Sequence, residues 1–303
     1  MGNNYIGHII KETRLKKQIS SSKLCAGLCS PSMLTRIESG ERYPSKLLFD
    51  ALMERMGESG KNYNFIGTSK EAEIYHLIQT ITTYYSQRNY DKLNKNIEHY
   101  RKIMNPKSAL ELQVLYLFEC VLSQDNPSSL YQKIISAINL TIKNFDFNKI
   151  SFYMLSNYER LLLNALGFYY ISSKEYDKAI SIFKNLQFFI EQYSNPDYDI
   201  LYISSVVKYN EIICYLRKQD FNEILYLCKK TIPQTLSNHS EIFLSRLYYQ
   251  NCYAKLSLDK NCTSEDILLA YYTFLDIENK TYADFLKNDI HTDLGLTFEV
   301  SFY

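Results

Sequence analysis

The sequence predicts an all-α protein: a small head of short capped helices at the amino end, followed by a right-handed solenoid of about five helical hairpins. Three observations carry that expectation. Apolar residues recur at helical spacing through nearly the whole chain. Only 9 glycines and 6 prolines stand among 303 residues, too few for a turn-rich β fold. Beyond residue 89, one local phrase returns every 41 to 46 residues.

The head should hold four helices. Ile6, Ile9, Ile10 and Leu15 mark one apolar face over about 5–17. Ser20 to Ser22 offer N-caps for a second helix running to about Leu28, with Leu24 and Leu28 inward. In "CSPSMLTRIESGERYPS", residues 29–45, Ser30 caps a third helix. Pro31 takes its first position, where a missing N–H does no harm. Leu34 and Ile37 bury one face, and Gly40 supplies the left-handed residue that stops the helix. Ser45 caps a fourth helix, with Leu47, Leu48, Leu52 and Met56 inward and Gly57 at its end.

Two short helices joined by about three residues, the second polar on its outer side, form a helix-turn-helix. The caps fix where the third helix begins, so that its first side chains can enter a major groove. Ser32 and Met33, with Pro31 and Thr35, are the candidates for base edges. Lys23, Arg36 and Arg42, with Ser20, Ser21 and Ser30 at the helix starts, are the candidates for phosphates, and Arg14 is a weaker one. Charge agrees. Residues 1–46 carry +5 and the remainder −4, a basic head on a faintly acidic body.

The stretch "ISSSKLCAGLCSPSMLTRIESGERYPS", residues 19–45, resembles the repressor-type helix-turn-helix of phage and Gram-positive regulators. There a hydrophobic-Ser/Thr-x-x-x-Leu opening leads to "RIE-S/N-G" and then "PS". The turn here is one residue tighter than in phage repressors. It is more similar to the peptide-pheromone-responsive transcription regulators of the PlcR, PrgX and Rgg type, which join this head to a tetratricopeptide-like body. The resemblance implies a homodimer with two partners: double-stranded DNA bearing an inverted-repeat operator, and a short signalling peptide. The family often has Gln where Ser21 stands, and that Gln usually touches DNA, so no operator sequence carries over.

The domain division expected is 1–58 for the DNA-binding head, 59–70 for a linker and 71–303 for the body. Residues 57–70, "GESGKNYNFIGTSK", are polar and weakly periodic. Beyond them "NYDKLNKNI" (89–97), "LYQKIISAI" (130–138), "EYDKAISIF" (175–183), "DFNEILYLC" (220–228) and "DILLAYYTF" (266–274) share one frame. A bulky residue (Tyr90, Tyr131, Tyr176, Phe221, Ile267) is followed at +3 and +7 by small or apolar ones. Each phrase follows another amphipathic stretch, so the unit is a helical hairpin. "LNALGFYYISSKEYDKAISIF", residues 163–183, nearly fits a tetratricopeptide consensus. Leu166-Gly167, Tyr170, Ala179 and Phe183 stand where paired helices interlock. The period exceeds the usual ~34 residues, which calls for longer helices or turns. Pro106, Pro127, Pro196 and Pro233 should separate helices. Most of the 28 tyrosines fall at interlocking positions and read as packing.

Stacked hairpins share their core and leave a continuous concave surface. Asn157, Arg160 and Asn164 make a polar stripe at i, i+3 and i+7 on the first helix of the third hairpin. Asn210 with Lys208, and Asn251 with Arg246, take similar places on the next two hairpins. An Asn amide both donates and accepts, so it can hold a peptide backbone without reading side chains. Aromatic residues between them, Tyr248 included, suit apolar peptide side chains. The resemblance implies the same use of inner-helix asparagines. Two other readings remain open: a helical-repeat scaffold that sequesters a partner protein, and a phage-type repressor whose repeats only oligomerise.

Other classes find little support. No apolar run reaches the ~18 residues of a membrane span, so no membrane partner is expected. The N-terminus has its charges after the apolar stretch, the reverse of a signal peptide, and Ile6 stands where a myristoylation signal wants Ser or Thr. A cytoplasmic protein is expected, with its seven scattered cysteines reduced. Cys25 and Cys29 lack a second ligand pair, and no metal or cofactor site is expected. The five histidines are isolated, and no catalytic or nucleotide motif occurs, so no enzyme is expected.

Overall fold

The computed structural model describes residues 5–63, 65, 67–87, 89–122, 127–193, 196–237, 241–258, 262–263 and 269–271, and every regular element among them is helical. The described residues fall into two compact units. One comprises those of Met1–Ser173 and Lys184–Asp197, the other those of Lys174–Phe183 and Tyr198–Tyr303.

The first unit opens with α1 (Tyr5–Lys16), α2 (Ser21–Cys25), α3 (Pro31–Glu38) and α4 (Lys46–Arg55). Three of the starts follow from serines. The hydroxyls of Ser20, Ser30 and Ser45 accept the backbone N–H groups of Lys23, Met33 and Leu48 at 3.3, 3.1 and 3.3 Å. α2 stops at Cys25, short of the expected Leu28. The chain closes a tight turn instead, with the Leu28 and Cys29 N–H groups both donating to the Cys25 carbonyl and Gly27 at φ 75°. The face of α1 is also rotated from its expectation. Leu15 is 56 % exposed, and Arg14 points inward in its place because Glu38 of α3 neutralises it there.

The segment expected to be a linker folds back on α4. A 3-10 turn, Gly60–Asn62, presents the Gly60 carbonyl to Lys46 Nζ at 3.0 Å, and Lys46 also pairs with Asp50 at 2.5 Å. Tyr63 and Phe65 pack edge-on against Phe49 with centroids 5.5 and 5.1 Å away. One apolar cluster therefore runs from Ile6 and Ile10 through Phe49 and Leu52 to Ile81, Leu93, Tyr100 and Phe118.

The hairpin helices follow: α5 (Ser69–Ser86) with α6 (Tyr90–Ile103), α7 (Ala109–Leu122) with α8 (Pro127–Thr141), and then α9 (Asn157–Ser172) and α10 (Tyr176–Ile190). In the second unit α11 (Tyr198–Arg217), α12 (Phe221–Ser237) and α13 (Glu241–Ser257) pack on one another. The recurring phrase is a helix-start and packing code. Tyr90, Tyr176 and Phe221 are the first residues of their helices. Leu93, Ile134, Ala179 and Ile224 at +3, and Ile97, Ile138, Phe183 and Cys228 at +7, are all at most 1 % exposed. Of the fifth phrase only 269–271 is described, where Ala270 is likewise buried. The Met-Gly start and the tail 287–303 lie outside the described residues.

Pro233 does not separate helices. It lies inside α12, four residues from the end, where its missing N–H removes one rung while α11 and α13 hold the rest of the helix in place.

Candidate nucleic-acid interface and its support

The outward edge of the helix-turn-helix carries most of the residues expected there. Ser20, Lys23, Ser30, Pro31, Ser32, Thr35, Arg36 and Arg42 are exposed, and Ser21 and Met33 are half-buried. Thr35 turns its hydroxyl back to the Pro31 carbonyl at 3.0 Å. Arg36 makes a loose pair with Glu41 at 3.6 Å, with both side chains more than half exposed, a contact that phosphates can outcompete. Arg14 is a correction. Nε and Nη2 donate to the two Glu38 oxygens at 2.7 Å each and Nη1 to the Ile19 carbonyl at 3.0 Å, so it braces the head internally and offers nothing to DNA.

Behind this edge is a buried polar joint that the sequence did not reveal. Arg55, at the end of α4, donates to Glu159 on α9 at 2.5 and 3.3 Å and to the Leu24 and Ala26 carbonyls at 3.2 and 2.6 Å. Glu159 also accepts from the Thr141 hydroxyl and the Ser156 N–H, both at 2.6 Å. Thr141 in turn accepts from Gln113 of α7 at 2.8 Å. Burial alone would raise the Glu159 carboxyl, but the Arg55 charge and these hydrogen bonds outweigh it and hold the group below its ordinary range. Gly27 closes the joint sterically: a Cβ there would overlap the Thr141 carbonyl.

A second arm lies one residue earlier. The Glu54 carboxylate accepts from the Asn157 N–H and side-chain amide at 2.8 and 2.9 Å, and its backbone carbonyl accepts from Arg160 at 3.0 Å and Tyr193 at 2.9 Å. Arg160, 2 % exposed, also donates to Asn157 and to the Tyr193 hydroxyl and stacks over that ring. Asn157 and Arg160 therefore do not line an open groove. They grip α4, because α9 starts with the Ser156/Glu159 capping box directly against that helix.

Burial, reinforced by the nearby Asp50 charge, pushes Glu54 up to about 8 despite the Asn157 N–H and Arg160. The bound acid thus prefers its neutral form. Its stabilising effect is complete below its ordinary value of 4.5 and is lost as pH rises toward 8. Unfolding in urea should show stability declining across that window by up to ~1.4 kcal/mol per pH unit, and Glu54→Gln should flatten the slope.

Asn164 is half-buried on α9 in the first unit. Lys208 and Asn210 on α11, and Tyr248 and Asn251 on α13, belong to the second unit and are half-buried. Lys208 donates to Gln234 at 2.5 Å, and the Arg246 guanidinium lies over Tyr209 and Phe243 at 5.4 and 5.6 Å. Burial raises the Tyr248 hydroxyl above its ordinary range. The thiols of Cys25 and Cys29, beside the head's turn, are also raised by burial, Cys29 to about 12, so both stay protonated at neutral pH.

Neither a protein-family model nor a curated protein sequence matches the chain. Solved structures do. Bacillus thuringiensis PlcR, in complex with the peptide PapR7 and DNA, superposes with a TM-score of 0.60 at 18 % identity, covering 94 % of this chain and 99 % of that one. The apo form of ComR from S. thermophilus superposes with a TM-score of 0.52 at 19 % identity, covering 96 % and 99 %. The helix-turn-helix head and tetratricopeptide-like hairpins thus constitute a fold that this chain shares, over nearly its full length, with PlcR and ComR.

Proposed function

We propose that the protein is a cytoplasmic, homodimeric transcription regulator, not an enzyme, whose operator binding is set by a short signalling peptide. The observation that carries this reading is the doubly capped α3, held with Pro31, Ser32, Thr35 and Arg36 outward on a basic head. Residues 1–58 bind DNA in this reading, 59–70 join, and 71–303 hold peptide and partner subunit. Two heads on a two-fold axis meet half-sites about one helical turn apart, so the operator is an inverted repeat. PlcR, of the same fold, was solved with a peptide and DNA together, which supports both partners. The peptide contacts assigned are Asn164, Lys208, Asn210, Tyr248 and Asn251. To change DNA occupancy the peptide must bind one state of the protein better than the other.

DNA binding is tested by selecting duplexes from a random pool and measuring affinity against salt. Arg36→Ala with Arg42→Ala should lower the log–log salt slope by about 2 and weaken all duplexes alike. An unchanged slope would remove the head from the DNA interface. Peptide binding is tested on the same duplex with a library of short apolar peptides. Asn164→Ala with Asn210→Ala should abolish any peptide effect while leaving DNA affinity intact.

A further inference from the structure

A head carried only by its covalent tether accepts many separations of half-sites; a head held by a rigid joint accepts few. The joint at α4 has the marks of the second kind. One guanidinium, on a side chain 2 % exposed, makes four hydrogen bonds. Two of its acceptors are the Leu24 carbonyl near the end of α2 and the Ala26 carbonyl at the start of the turn toward α3, so Arg55 grips the DNA-reading motif itself. The other two are the oxygens of Glu159, whose side chain is fully buried. Glu159 is in turn held by groups from α8 and the start of α9, and α7 reaches it through Gln113 and Thr141.

A buried ion pair is a poor way to gain stability, since apolar residues of the same volume do as well or better. Its strength is direction. A planar fork bound on two sides permits one orientation where an apolar contact permits several. The joint also leaves α3 uncovered, with Pro31, Ser32, Thr35 and Arg36 exposed, so it orients the reading edge without blocking it.

We infer that Arg55 and Glu159 are positioning residues: their buried joint fixes the recognition helix against the helical hairpins and thereby selects the separation of half-sites that the dimer binds. This rests on the DNA-binding reading above. One inserted base pair turns a half-site by about a tenth of a turn, more than a rigid pair of heads can follow.

The test compares wild type with Arg55→Met combined with Glu159→Gln, which removes both charges together, keeps an acceptor for the Ser156 N–H and turns an amide N–H toward the Thr141 hydroxyl, which can accept it. The probes are the duplex selected from a random pool, versions with base pairs inserted or deleted between its half-sites, and a single half-site. Wild type should lose about tenfold or more for each altered spacing. The variant should discriminate less than about threefold, while binding the single half-site within about twofold of wild type. Undiminished spacing discrimination in the variant overturns the inference. If the variant does not fold, spin labels on unnatural residues at the exposed positions Lys11 and Lys102 of the otherwise unaltered protein decide the matter. One narrow distance between α1 and α6 supports the joint, and a broad distribution overturns it. Wild-type protein that binds no duplex would instead sink the DNA-binding reading, with the label distances still judging the joint.

Discussion

Replacing Gly27 by alanine is expected to detach the helix-turn-helix from the hairpins while leaving both folded. Two independent penalties meet at this position. Gly27 has φ 75°, a region in which a Cβ costs about 1–2 kcal/mol. The new methyl would also overlap the Thr141 carbonyl, a backbone atom held by α8 and unable to rotate away. Forcing an extra carbon into such a contact adds about 1–3 kcal/mol. Hydrogen exchange of the α1–α4 amides should accelerate by one to several orders of magnitude, while the α11–α13 amides keep their protection. Unchanged exchange in the head would mean that Gly27 does not lie against Thr141 in solution.

Glu159→Ala should produce the second large effect. The substitution leaves the Arg55 guanidinium buried without its counter-charge and takes the acceptor from Thr141 and the Ser156 N–H. Removing one partner of a buried ion pair typically costs about 3–5 kcal/mol, because the survivor stays desolvated. Glu159→Gln keeps the hydrogen-bonding shape but not the charge, and should cost about half as much. The order of loss, Ala well above Gln, is the diagnostic result of urea unfolding. Equal and small losses would show that the pair is solvated.

Buried partners account for the side chains that turn inward against expectation. Arg14, Asn157 and Arg160 are each expected outward because charged and amide groups ordinarily face solvent. Each has a partner that satisfies it inside: Glu38 for Arg14, Glu54 for Asn157, and the Glu54 carbonyl with Tyr193 for Arg160. One sequence signal pointed toward the joint. Ser156-x-x-Glu159 is a capping box, and its glutamate has a reason to be at N3 whether or not it is buried. Nothing near Arg55 indicates that a cation at a helix end, an ordinary place for one, will meet that glutamate.

Helix starts, helix type and the inward faces of the repeats were legible in the residue order, because each is governed by interactions within about a turn of chain. A serine caps the amides two or three residues on, and Leu93 with Ile97 shares a helical face whatever lies opposite. The bond from Arg55 to Glu159 spans 104 residues, that from Arg160 to Glu54 106, and that from Tyr193 to Glu54 139. No spacing rule reaches so far. Whether a charge is spent inward or offered to a ligand depends on which surfaces the folded chain brings together, and on whether a buried counter-charge waits there to offset the loss of water.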